Sequence, residues 1–260
     1  MIEEIQSLQN PRVKNWRLLQ KSRTKRLEEK QYITEGEHMV QEALKEHAAL
    51  QVLISDSAWN KYAYLVQNEN VQVFRVSDKV MESISDTKTP QGIAALCRLP
   101  EMNGTIGALS VALNGVQDPG NVGTLLRTMD AAGFDTLIID EKTADPFSAK
   151  AMRASMGAVF RIRIHKAETL AGTLETLAQN GCAVIAGDLK GEDFFERAPF
   201  PEKVCIVIGN EGAGISEDVK KAATRRLKLP MVGGAESLNA AVAGSIMIYD
   251  VLREKSIGNH

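Results

Sequence analysis

The sequence predicts an α/β protein of two domains, and three observations predict it. Short apolar runs of strand length alternate with segments of helical period along the whole chain, which implies parallel or mixed sheets covered by helices. One stretch, RLPEMNGTIG at 98–107, carries Pro, Asn and two Gly and interrupts that rhythm as a linker does. The chain has 260 residues, 44% hydrophobic and 25% charged, which is enough for two ordinary cores. The expected division is a first domain over 1–98, a linker over 99–106 and a second domain over 107–260.

In the first domain, 11–27 reads as one helix, with Val13, Trp16 and Leu19 at near-helical spacing. A short strand over 31–34 and a turn at Gly36 lead to a helix over 37–46 with Met39, Val40, Ala43 and Leu44 on one side. Strands over 50–54 and 71–76 flank a helix over 57–67, and 92–97 is a further apolar run. In the second domain, 109–114 is a buried strand, 121–132 a helix and 136–139 a strand. Residues 150–156 look helical. Residues 161–165 alternate as a strand does, with Ile162 and Ile164 on one face. A helix over 170–179, strands over 183–186, 204–208 and 227–229, and a closing helix over 238–254 complete the pattern.

Composition excludes several classes. No apolar run approaches the roughly 20 residues of a membrane helix, and the opening MIEEIQSLQNPRVK lacks the apolar stretch of a secretory signal, so a cytoplasmic location is expected. Cys97, Cys182 and Cys205 form no CxxC pair and no zinc-ligand spacing with His, so no metal is expected and the thiols read as buried small hydrophobes. A net charge of −2 argues against wholesale coating of nucleic acid. A local patch exists: Arg12, Lys14, Arg17, Lys21, Arg23, Lys25 and Arg26 lie between Pro11 and Arg26 with no acid among them. Such a run is either a solvated helix face or a surface whose self-repulsion a phosphate backbone relieves.

Three segments join an apolar strand to a loop dense in Gly, Asn, Asp, Glu or Ser, where open parallel sheets collect ligands. In the first, NGVQDPGNVGTLLR (114–127), Asp118-Pro119-Gly120 is a turn, and Asn121 or Thr124 can cap the helix that follows. Asn121 and Arg127 differ by about 240° on a regular helix. They converge only if Asn121 still lies in the preceding loop and Arg127 reaches back. In the second, IGNEGAGIS (208–216), glycines permit close backbone approach to a ligand, but no Lys-Ser/Thr makes it a P-loop and it is not GxGxxG. Glu211 in that turn disfavours a phosphate and suits a cationic or hydroxylated ligand. In the third, LPMVGGAESLNAAVAG (229–244), Ser237 and Asn239 precede a helix whose Ala240, Ala241, Ala243 and Gly244 allow close backbone packing.

Taken together and in this order, DPGNVGTLLRTMDAAG (118–133), VIGNEGAGIS (207–216) and LPMVGGAESLNAAVAGSIMIYD (229–250) resemble the three motifs of the SpoU/TrmH family of RNA 2′-O-ribose methyltransferases, within the SPOUT superfamily. KAMRASMGAVF (150–160) is a further match. SLQNPRVKNWRLL (7–19), YITEGEHMVQEAL (32–44) and TPQGIAAL (89–96) resemble the substrate-binding domain attached to many members, similar to L30e/L7Ae-like folds. The resemblance implies a deep trefoil-knotted catalytic domain with a parallel sheet, a homodimer through the C-terminal domain, S-adenosyl-L-methionine as cofactor and RNA, above all ribosomal RNA, as substrate.

Carried onto matching positions, the resemblance makes Asn121, Arg127, Glu211, Ser237 and Asn239 the catalytic set, with Arg127 handling the target hydroxyl and a neighbouring phosphate. Ile208, Gly209, Asn210, Glu211, Gly212, Met231 and Leu238 would enclose the cofactor. The acid-free run together with the attached domain makes Arg12, Lys14, Arg17 and Lys21 the expected RNA contacts, and the resemblance assigns Arg153 to RNA or cofactor contact. An isolated guanidinium stays protonated well above neutral pH, so the general base is open between a phosphate oxygen, water and a perturbed Arg127. Transfer RNA as substrate and a non-catalytic RNA-binding platform are the alternatives. A nucleotide-dependent oxidoreductase lacks its GxGxxG fingerprint.

Overall fold

The computed structural model describes residues 2–257, the side chain of Ile257 excepted. In chain order the elements are β1 (Ile2–Ile5), α1 (Pro11–Lys21), α2 (Arg23–Glu29), β2 (Gln31–Glu35), α3 (Glu37–Lys45), β3 (Ala49–Ser55), α4 (Trp59–Tyr62), β4 (Gln72–Val76), α5 (Asp78–Ile84) and β5 (Ile93–Arg98). There follow β6 (Leu109–Asn114), α6 (Pro119–Ala131), β7 (Thr136–Ile139), α7 (Ala149–Ser155), β8 (Arg163–Lys166), α8 (Leu170–Gln179), β9 (Ala183–Asp193), β10 (Val204–Gly209), α9 (Glu217–Ala222), β11 (Arg225–Lys228) and α10 (Ala240–Ile257). Two compact units result. One takes the chain up to Pro100 together with Phe147–Phe160, and the other takes Glu101–Pro146 and the chain from Arg161 onward.

The first unit has a five-stranded sheet in the order β1-β4-β3-β5-β2. β1, β4 and β3 run parallel, while β5 runs antiparallel to both β3 and β2. Its core gathers Val13, Trp16 and Leu19 from α1 with Leu53, Phe74, Val80 and Ile84. Trp16 meets Phe74 edge to face at 5.4 Å, the geometry that opposed ring quadrupoles favour. The segment 147–160 belongs here because Phe147 and Phe160 pack on buried Tyr32.

Several expected elements are redrawn. The single helix over 11–27 is broken at Ser22, whose extended backbone ends α1 and whose side chain accepts from Lys25 N to cap α2. The helix over 57–67 is a single α-turn followed by a 3₁₀ turn, Ala63–Val66. The closing helix begins at Ala240 because the Asn239 side chain caps it, accepting from Ala241 N at 2.9 Å and Val242 N at 3.2 Å.

The second unit is a six-stranded sheet in the order β11-β9-β10-β6-β7-β8 with every pair parallel. Both faces of a parallel sheet must be covered, so its inner strands are continuous apolar runs. VCIVI of β10 and SVAL of β6 are buried throughout. Chain order runs outward from β6 through β7 to β8, then restarts on the other side with β9 and β10. That reversal makes the carboxyl ends of β6 and β10 the switch point where open α/β sheets bind ligands. α10 lies against α6 and β10 at close range. A Cβ built on Gly244 would come within 2.5 Å of Leu125 Cδ2 and 3.3 Å of Ile208 Cγ1. A Thr128–Ser245 hydroxyl bond of 2.9 Å joins the two helices. Among the described residues no helix is long and apolar enough to cross a membrane.

Candidate active site

The site is built where β6 and β10 end side by side, in register from Val204–Leu109 to Gly209–Asn114. Each strand finishes on an asparagine or delivers one at once, and these two side chains organise the loops. Asn114 donates to Asp140 at 3.1 Å and accepts from Ser216 N at 2.7 Å. Asn210 donates to Gly115 O at 2.8 Å and accepts from the backbone of Gly212 and Ala213, closing the 210–214 turn. The turn presses so closely on the strand end that a Cβ on Gly209 would sit 2.4 Å from the carbonyl carbon of Gly214. Glycine is therefore required there by packing.

Glu211 projects from this turn toward the start of α6. Its carboxylate accepts from Gln117 N at 3.2 Å, Asp118 N at 3.2 Å and Asn121 Nδ2 at 2.8 Å. Partial burial pushes its pKa up, but the bonds from Asn121 and the backbone outweigh that and hold it below the usual carboxylate value of 4.5. Asn121 in turn accepts from Asn239 Nδ2 at 3.0 Å. A chain Glu211–Asn121–Asn239 thus ties together the three loops that the sequence singled out. Its direction is fixed: an ionised carboxylate only accepts, so Asn121 presents its amide NH2 to Glu211 and its oxygen to Asn239.

Beside this chain is a cleft of about 250 Å³. Ile208, Gly209, Asn210, Glu211, Gly212, Met231, Ser237 and Leu238 line it, together with Val207, Leu227, Leu229 and Met247. The walls are mostly apolar with a few polar side chains, as in small-molecule sites generally. No cluster of three His, Cys, Asp or Glu able to hold a metal occurs among the described residues.

Asn121 is in the first turn of α6 rather than in the preceding loop, since Asp118 caps the helix by accepting from Gly120 N at 2.7 Å. Asn121 is buried and Arg127 faces solvent on another side of the same helix, with no hydrogen bond or ion pair among the described residues. Ser237 lines the cleft without joining the hydrogen-bond chain. Arg153 is bound to Glu35 at 3.2 Å and Asp86 at 2.8 Å within the first unit. On α1, Arg12 is paired with Glu3, whereas Lys14, Arg17 and Lys21 are exposed and spaced so that they share one face. The acid-free run is thus partly neutralised from outside it, because Lys25 also pairs with Glu29. Sequence reasoning missed Asn114 as an organiser of the site. An asparagine ending the strand beside the Gly-rich turn was the available signal.

Residues 108–249 match the SpoU rRNA Methylase family, and residues 10–95 match an MRM3-like substrate binding domain. The chain belongs to the SpoU rRNA methylase family. The 23S rRNA (guanosine(2553)-2′-O)-methyltransferase RlmP of Bacillus subtilis is 32% identical over 95% of this chain and 98% of its own length. The AdoMet-bound rRNA methyltransferase of Sinorhizobium meliloti superposes with a TM-score of 0.84 at 31% identity, covering 97% of this chain and 98% of that one. The SpoU methyltransferase AviRb of Streptomyces viridochromogenes, with AdoMet, shares the fold at TM-score 0.84 and 22% identity, over 96% of this chain and 100% of that one.

Proposed function

We propose that this SpoU-family protein transfers the methyl group of S-adenosylmethionine to a ribose 2′-hydroxyl of ribosomal RNA. The observation that carries the reading is the Glu211–Asn121–Asn239 chain fixed at the rim of the apolar cleft, at the switch point of a parallel sheet. The cleft suits the cofactor chemically: apolar walls for the adenine, and backbone at Ile208, Gly209 and Met231 with Leu238 beside them. S-adenosylmethionine, when bound, supplies an already activated methyl on its sulfonium.

What is left for the protein is to position a poor nucleophile and ease the loss of its proton. Glu211 holds Asn121 and the head of α6 in place. Asn239 locks the start of α10 to the same point, and Ser237 adds a hydroxyl to the cleft wall. Arg127 has a planar fork free to bind an RNA phosphate and lower the pKa of the adjacent hydroxyl. The proton then leaves to a phosphate oxygen or water.

The domain over 1–98 serves as the RNA-binding part, with Lys14, Arg17 and Lys21 as its cationic stripe and Arg12 at the edge. The domain over 107–260 carries the chemistry and the trefoil knot. Arg153, already paired with two carboxylates, acts on RNA only by giving up one of them. Val242, Ile246 and Tyr249 are exposed at helical spacing on α10, a stripe that suits a homodimer through the C-terminal domain. A cytoplasmic location follows from an rRNA substrate.

The test is methyl transfer in vitro from labelled S-adenosylmethionine to total RNA from cells lacking the gene, fractionated into ribosomal and transfer RNA and digested to nucleosides. Label in a 2′-O-methylnucleoside of ribosomal RNA is expected. Label in transfer RNA alone, or on a base, would overturn the substrate or the acceptor respectively.

A further inference from the structure

Strand β9 does something that the other strands of its sheet do not. It pairs with β10 as far as Ala186–Val207. Its pairing with β11 runs through Ala186–Arg226 and then jumps to Glu192–Leu227. Residues Gly187–Gly191 are therefore looped out of the strand as a bulge, a device that re-aims side chains beside functional sites. The bulge is pinned by its last residue. A Cβ on Gly191 would sit 2.4 Å from Arg226 O, so only glycine lets the strand rejoin there.

The bulge delivers Gly187, Asp188 and Leu189 to the cleft wall formed by Leu227, Lys228 and Leu229. The Asp188 side chain is only 9% exposed. Its Oδ1 accepts from Lys190 N at 3.1 Å, and the cation within ion-pair reach, Arg226, is 3.8 Å from Oδ2 and largely solvated. A carboxylate so screened from water retains acceptor capacity that no other described residue uses. The other carboxylate in the cleft, Glu211, spends both oxygens on Gln117, Asp118 and Asn121.

We infer that Asp188 is a cofactor-binding residue that accepts hydrogen bonds from the ribose hydroxyls of the adenosine moiety; this rests on the methyltransferase reading above. Two adjacent hydroxyl donors match an acceptor-only carboxylate. A carboxylate at the end of a parallel strand holds ribose in the same way in dinucleotide-binding folds. The cationic end of the cofactor is a poorer occupant, because Lys228 shares that wall and Arg226 approaches the same carboxylate.

The test is calorimetric binding to purified wild type, D188N and D188S, whose folding is checked by thermal unfolding without ligand. The probes are S-adenosylhomocysteine, 5′-methylthioadenosine, which keeps the ribose and lacks the amino acid, and 2′-deoxy-5′-methylthioadenosine. Both variants should bind the first two probes about tenfold or more weakly, by a common factor, as expected for loss of a charge-assisted hydrogen bond. The deoxy probe should bind wild type more weakly and lose less on substitution. Unchanged affinity for 5′-methylthioadenosine, with a loss confined to S-adenosylhomocysteine, would move Asp188 to the amino-acid end and overturn the inference. Unchanged affinity for both would remove it from the site. Failure of wild type to bind S-adenosylhomocysteine at all would overturn the cofactor reading and this inference with it.

Discussion

Replacing Asn121 by Asp tests the hydrogen-bond chain at its centre. The side chains are nearly isosteric, so packing around this buried position is kept while a donor is exchanged for a second carboxylate. In wild type Asn121 Nδ2 lies 2.8 Å from Glu211 Oε1. Two unit charges at that separation repel by about 6 kcal/mol at an effective dielectric of ~20 and about 1.5 kcal/mol in bulk water. Glu211 is solvent-exposed as a residue, so the lower end governs, and about 2 kcal/mol is expected from repulsion. Loss of the original hydrogen bond adds about 1 kcal/mol.

Asn121→Ala loses the hydrogen bond but creates no repulsion, so N121D should be the less stable of the two at pH 7 by about 1–2 kcal/mol. The pH dependence carries the sharper signature. In wild type the pKa of Glu211 is depressed, so its contribution is present above 4.5 and is lost as pH falls through the lower, folded-state value. In N121D one carboxyl of the pair is raised above its unfolded value. The destabilisation is then full above that raised pKa and is relieved as pH falls through it. Urea unfolding of wild type, N121A and N121D from pH 8 down to below pH 4.5 reads both effects. An N121D curve that parallels N121A across that range would refute the chain as a charge-bearing contact.

Other consequences follow from the same structure. The Arg197 side chain is 4% exposed, bonds Asp250 at 2.8 Å and Glu254 at 3.1 Å, and lies 3.8 Å over Phe200; Arg197→Ala removes the cation that pairs with these two carboxylates of α10. Arg253 also holds Asp250, so a loss near the lower end of the buried-pair range, about 3 kcal/mol, is expected in chemical denaturation. Burial pushes the Cys182 thiol up to about 11 and Cys205 up to about 12, with Cys97 higher still. At pH 8 about 0.1% or less of any of them is thiolate, so an aromatic disulfide reagent should label the native protein only at its unfolding rate. Neutralising Lys14, Arg17 and Lys21 to Gln should weaken RNA binding and cut the slope of log affinity against log salt by about 2, at ~0.7 for each phosphate no longer neutralised on a single strand. An unchanged slope would leave α1 as a plain solvated helix.

Much of this molecule was legible in its sequence, for identifiable reasons. The inner strands β6, β7 and β10 are buried on both faces, so they read as unbroken apolar runs. α8 was placed at its observed bounds because its apolar spacing is regular. Elements that escaped are those whose formation depends on distant partners. β1, IEEI, has one buried residue and exists by pairing with β4. The bulge in β9 depends on a glycine meeting a carbonyl in β11, a contact that local pattern cannot encode. The same holds at the site. Three loops could be singled out by Gly, Asn and Glu content, but nothing in their spacing says that Glu211, Asn121 and Asn239 bond in series. Nor does it say that Asp188 shares their cleft. Arg127 shows the converse, since its 240° offset from Asn121 correctly anticipated that the two leave α6 on different faces.

The central claim is a methyl group on a ribose oxygen of ribosomal RNA. A 2′-O-methyl blocks alkaline cleavage of the following phosphodiester, so its position can be read at single-nucleotide resolution from partially hydrolysed RNA. The direct measurement compares ribosomal RNA from cells lacking the gene, from cells complemented with wild type, and from cells complemented with Arg127→Ala. The account predicts one protected position with wild type that is absent from the deletion and from Arg127→Ala. An identical protection pattern in all three would contradict it.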